Sequence, residues 1–210
     1  RTHIPVALDQ ISLPSAKYLR DDASESVAPP PGPRAATTHY DDQLGPFRLF
    51  LMFATGLPAN QALTASDGWG NDRFSAYELD GRVCVDVHLV ADSPVDADRL
   101  ARAMNNWALA RPSAAGALVG RDGVDLYASV CDPGTDTPQS TPTDDEIEQY
   151  FARADLLRQQ AAATGKPALA ECIATEFFAE FTFEQMTTES LTRDLEAAFA
   201  ALEDECRNNV

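Results

Sequence analysis

The chain has 210 residues, with 33 acids against 16 lysines and arginines and a formal charge of −17. That balance repels a phosphate backbone and anionic lipid alike, so it argues against nucleic-acid binding and direct adhesion to an anionic membrane. An apolar content of 44% can fill one large or two small cores, and no run reaches the ~18–20 apolar residues of a membrane span.

Residues 1–43 read as an extended arm. Pro5, Pro14 and the run Pro29-Pro30-Pro31-Gly32-Pro33 oppose both helix and sheet ladder. A short turn is expected near Ala16 to Leu19. No charged-then-apolar leader opens the sequence at Arg1, which leaves an upstream signal or anchor open.

Leu44 to Ala54 reads as a helix buried nearly all round, with Leu44, Phe47, Phe50, Leu51 and Ala54 on one stripe and Leu49, Met52 and Phe53 also apolar. A short helix follows Pro58. Two hairpins then flank a third helix. Asp80-Gly81 joins Phe74–Leu79 to Arg82–Val90, and Asp122-Gly123 joins Ala117–Gly120 to Val124–Cys131, each predicted as a type I′ turn. Ser93-Pro94-Val95-Asp96 opens the helix between them, with Leu100, Ala103, Met104 and Trp107 on its buried face. The order α-ββ-α-ββ predicts an α+β fold over residues 44–131, an antiparallel sheet packed by helices. Residues 132–142 read as a linker. Residues 143–210 read as a helical extension of three helices: Asp144–Ala163, Pro167–Phe181 and Thr188–Arg207.

The four cysteines, Cys84, Cys131, Cys172 and Cys206, lack the spacing of a zinc cluster or a redox motif. Strand alternation puts Cys84 and Cys131 on the non-core faces of their strands, away from Val83, Val85, Val87 and Leu89 and from Leu126, Ala128 and Val130. Cys172 and Cys206 fall on apolar helical stripes, the second with Leu191, Leu195, Ala198, Phe199 and Leu202. The expected bridges are therefore Cys84–Cys131 and Cys172–Cys206, one in each half. Disulfides of this kind place the chain outside the reducing cytoplasm.

Residues 132–210 hold 17 acids and 5 bases. They form either a solvated helical surface or a face for a basic partner. His3 and His39 lie in the arm and read as solvated. His88 shares a strand face with Asp86, and Asp125 and Tyr127 are expected beside it. Such a polar cluster can bind a metal or move a proton, or it can be the ordinary outer face of a sheet. Gly68-Trp69-Gly70-Asn71-Asp72-Arg73 reads as a tight loop over a tucked indole, with Asp72 and Arg73 paired at its exit; it suits a structural latch or a ligand-stacking site. No motif for a zinc hydrolase, a nucleophile elbow or a phosphate loop is present.

Leu44-Gly45-x-Phe47, the string from Gln61 through the Gly68–Phe74 segment, and the arm stretch Ala7–Tyr18 resemble the C-terminal half of bacterial HExxH metallopeptidase-like envelope proteins. The acid-rich, cysteine-bearing ending is similar to actinobacterial members. The resemblance covers roughly residues 5–131. Leu13 departs from a His of the pattern, and Asn71 from a Gly. The family's zinc-binding H-E-x-x-H belongs to the N-terminal half, so no catalytic or metal-ligating residue carries over. The resemblance thus implies a non-catalytic accessory domain that meets a protein partner or its own N-terminal half. Zinc enters only if an HExxH half is joined to it, which is the enzyme alternative. A carrier of a lipid or small molecule between helix and sheet is a third expectation.

Overall fold

A computed structural model describes residues 26–30, 37–134, 141–181, 185 and 192–209. They fall in two compact units, one within residues 24–141 and one containing residues 142–210. The turn expected at Ala16–Leu19, His3 and Leu191 lie outside the described residues, as does the His39 side chain.

The first unit is the predicted α+β fold with one strand more than expected. Its elements are β1 (Thr37–Asp42), α1 (Gly45–Ala54), α2 (Ala59–Ser66), β2 (Trp69–Leu79), β3 (Arg82–Ala91), α3 (Pro94–Leu109), β4 (Leu118–Asp122) and β5 (Asp125–Cys131). They build a five-stranded antiparallel sheet ordered β1-β2-β3-β5-β4. β1 corrects the extended arm of residues 1–43. Thr37 to Tyr40 is β-branched and aromatic, and that preference prevails once the prolines end.

The two hairpins turn differently. Asp80 and Gly81 both have positive φ, as a type I′ turn requires. In the second, Asp122 pairs with Asp125, so the turn residues are Gly123 and Val124. Only Gly123 has positive φ there, which is the type II′ pattern. The Asp-Gly dipeptide therefore marks the second turn one residue early.

The helices cover one face of the sheet. α3 opens on the predicted cap, with Ser93 Oγ accepting from Asp96 N at 3.2 Å and Pro94 in the first turn. Its Leu100, Ala103, Met104 and Trp107 are all buried, against Leu89 and Leu126 of the sheet face. On α1 the deepest side chains are Leu49, Phe50 and Phe53, one step round from the expected stripe, because an apolar residue occupies nearly every position and packing chooses among them.

The second unit packs α4 (Asp144–Thr164), α5 (Pro167–Glu180) and α6 (Thr192–Asn209). A reciprocal capping box of Thr143 and Glu146 starts α4, and Gly165 in the left-handed conformation ends it. Leu169, Ile173 and Cys206 form a buried cluster with Cys172 and Phe199 against it. Among the described residues no helix is long and apolar enough to cross a membrane.

Both predicted disulfides are present, Cys84–Cys131 and Cys172–Cys206, one in each unit. They fit an oxidising, extracytoplasmic setting. Cys84 and Cys131 face each other directly across β3 and β5, with Cα atoms 3.9 Å apart. Asp132 N donates to Val83 O just beyond them. The pair thus sits at a narrow position between ladder hydrogen bonds, where side chains come closest.

Candidate functional site

The face of the sheet opposite α1 and α3 carries the predicted polar cluster. Register places His88 of β3 opposite Arg73 of β2 and Tyr127 of β5, and Asp86 opposite Ser75 and Ser129. Three of the four residues predicted as a cluster do meet. His88 Nε2 lies 2.8 Å from Asp125 Oδ1, and the His88 ring stacks on Tyr127 with centroids 4.6 Å apart. Asp86 goes elsewhere: Tyr77 Oη donates to its Oδ1 at 3.0 Å. Burial, reinforced by that bond to Asp86, pushes the Tyr77 phenol above its ordinary range, while Ser129 pulls the other way.

The second nitrogen of His88 is also engaged. Nδ1 lies 3.2 Å from the carbonyl oxygen of Ala28. Both ring nitrogens therefore face oxygens, and neither is free to ligate a metal or to abstract a proton. Among the described residues, no three His, Cys, Asp or Glu side chains converge to hold a metal ion. His88 works as a clamp on the segment Ser26–Pro30, which crosses this face. A second hold is on β2, where Ser75 Oγ donates to Pro30 O at 3.4 Å. Sequence reasoning missed this docking. The signal was there, since a proline-rich stretch makes no internal hydrogen bonds and leaves its carbonyls for other donors.

Beside Pro30 a groove of about 610 Å³ opens along the sheet towards the edge strand β4. Tyr77, Tyr127, Ser129 and Leu118 line it. Tyr127 is 42% exposed and Leu118 70%, so this floor is apolar and reachable.

The Gly68–Arg73 string is built differently from the loop expected. Trp69 already belongs to β2, and the register slips between Trp69 and Asn71, leaving Gly70 as a bulge. The indole is tucked in as predicted, 1% exposed, and its Nε1 donates to Asp72 Oδ1 at 2.7 Å. Asp72 is not an exit ion pair with Arg73. It is fully buried, and it accepts from Leu44 N at 2.7 Å and Gly45 N at 2.9 Å. These amides open α1, where a helix leaves its N–H groups unpaired and favours negative charge. Asn71 supports the arrangement, with its Oδ1 accepting from Asp72 N and from Gln43 Nε2. The string is a clasp that pins α1 to β2.

Its glycines are needed for close approach. A Cβ on Gly70 would stand 2.9 Å from Val90 O, and one on Gly68 2.5 Å from Asp96 Cβ. Gly70→Ala meets backbone that cannot move aside, so it is expected to cost about 1–3 kcal/mol. Urea denaturation followed by tryptophan fluorescence checks this; an unchanged midpoint would show that the bulge relaxes freely.

Residues 35–136 match the family model of a domain of unknown function, DUF8575. No curated protein and no solved structure matches the chain.

Proposed function

We propose that the chain is a non-catalytic interaction module, secreted or membrane-anchored in a bacterial cell envelope, and that it corresponds to the accessory half of a metallopeptidase-like protein. The groove between Pro30 and β4 carries the reading. Tyr127 and Leu118 expose its floor, and one edge is already formed by the chain's own Pro30, which follows Ala28 in a segment whose Ala28 and Pro30 carbonyls are held by the sheet. A surface that holds one extended proline-bearing strand suits another lying alongside. The net charge of −17 selects for a basic one. The partner is therefore an extended, basic, proline-bearing segment of another envelope protein. The Gly68–Arg73 clasp supports the accessory role, since its polar atoms are spent on holding α1.

The test is a titration of the isotope-labelled chain with a lysine-flanked Pro-Pro-Gly-Pro peptide, read by amide chemical shifts. Shifts confined to β4, β5 and the Ser26–Pro30 segment are expected. Tyr127→Ala and Leu118→Asp, both at exposed positions, should each weaken binding about tenfold, a difference near 1.4 kcal/mol. Absent shifts, or shifts that both variants leave intact, would overturn the reading.

A further inference from the structure

The other face of the sheet is incompletely covered. Past the end of α3, no α-helix among the described residues covers the core side of β3 and β5, which only the one-turn helix Ser113–Ala115 borders. Val83, by strand alternation a core residue, is 55% exposed there, and Val85 and Val130 are half-buried. Trp107 and Arg111 stand opposite. Together they bound a pocket of about 450 Å³, within the range of roughly 300–1,000 Å³ common for small-molecule sites.

Arg111 gives this pocket its chemistry. Its guanidinium lies over the Trp107 ring, 5.4 Å from the centroid, and Nη2 donates to Thr55 O at 2.7 Å. Nε is buried and has no hydrogen-bond partner. None of the carboxylates among the described residues forms an ion pair with Arg111, although Arg48, Arg99, Arg121, Arg158 and Arg207 each have one. A half-buried guanidinium with no counter-charge favours an anion in the pocket that it lines. Partial burial also lowers the Arg111 pKa from its ordinary value. Gly56 lets the guanidinium lie close, since a Cβ there would stand 3.0 Å from Arg111 Nη2.

The acceptor that fits is a carboxylate, whose planar oxygens match the guanidinium edge. The walls set the rest of the ligand: a flat indole and three valines offer no further donor. Asp132 lies at the rim, exposed, with its Oδ1 accepting from Gly134 N. It disfavours a second negative charge, so the ligand carries one. We infer that this pocket binds an apolar monocarboxylate, its carboxylate accepting from the guanidinium of Arg111 and its hydrocarbon body lying between Trp107 and the valines of β3 and β5. The inference is independent of the partner groove, which lies on the opposite sheet face, and it gives the carrier expectation a place and a ligand class.

Octanoate is the probe and octanol its neutral counterpart. Calorimetric titration of the full chain should show saturable octanoate binding, and the methyl resonances of Val83, Val85 and Val130 should shift. Arg111→Leu should weaken octanoate binding tenfold or more while leaving octanol binding within about threefold. Val83→Asp serves as the second variant, because that side chain is already exposed and its change leaves the core intact; it should weaken both ligands. Far-ultraviolet circular dichroism confirms that each variant is folded. No octanoate binding, equal binding of octanoate and octanol by the parent chain, or octanoate binding unchanged in both variants would overturn the inference.

Discussion

Replacing Asp72 by alanine is expected to destabilise the α+β unit by about 3 kcal/mol. Three donors end on this carboxylate: the amides of Leu44 and Gly45 and the indole of Trp69. Alanine leaves all three without their acceptor in a fully buried position, and each orphaned donor costs about 1–3 kcal/mol before relaxation. Asp72→Asn is the finer probe. Its oxygen keeps two of the three bonds, but its amide group meets an N–H that needs an acceptor, so about half the loss is expected. Urea denaturation of both variants, followed by tryptophan fluorescence, gives the comparison. Loss below 1 kcal/mol in the alanine variant would mean that water reaches the start of α1 and that the clasp is not what holds it.

The same residue predicts a pH dependence. Burial pushes the Asp72 carboxyl above its ordinary value of 3.8, and the Leu44 and Gly45 amides, the indole and the Arg73 charge only partly offset it. The native chain therefore holds this proton more tightly than the unfolded chain. Stability from the group is fully present below 3.8 and is lost as pH rises through the raised folded value. In Asp72→Asn that falling limb disappears. The variant's deficit relative to the parent should be largest in acid and shrink as pH rises; a deficit that grows over that window would contradict the upward shift.

The Asp72 clasp also marks where the sequence stops being legible. Trp69 under a glycine-rich string could be read as a latch, but its partner could not. Leu44 and Gly45 lie 27 or more positions away and contribute only backbone, which carries no side-chain signature. The disulfides were legible for the opposite reason. Strand alternation sorts Cys84 and Cys131 onto one face, and helical period sorts Cys172 and Cys206 onto apolar stripes, so local pattern alone narrows the pairing. His88 falls between these cases. Its neighbours Asp125 and Tyr127 follow from strand parity, whereas the carbonyl of Ala28, which decides that the ring is a clamp, arrives from 60 residues earlier on a segment with no periodicity. Arg111 was not singled out, because a lone arginine after a helix reads as solvated until the uncovered end of the sheet is seen. β1 was hidden by the proline run just before it.

Removing the Cys84–Cys131 bridge as the double change Cys84→Ala and Cys131→Ala is expected to cost about 4 kcal/mol. The bridge closes 47 residues, and the entropy that such a loop regains in the unfolded chain accounts for that figure in the chain-entropy model. The native strands do not need the bridge for their register. That is fixed by the Asp80-Gly81 turn on one side and by alternation on the other. The loss therefore acts on the unfolded state, and the folded sheet should survive with its β3–β5 pairing intact. Because the second bridge lies wholly within residues 142–210, the double change should shift only the transition reported by Trp69 and Trp107. The unfolding of α4–α6, followed through Tyr150 or by hydrogen exchange, should stay in place. A matching shift of both transitions would mean that the units unfold together, and that each bridge stabilises the whole chain rather than the half it closes.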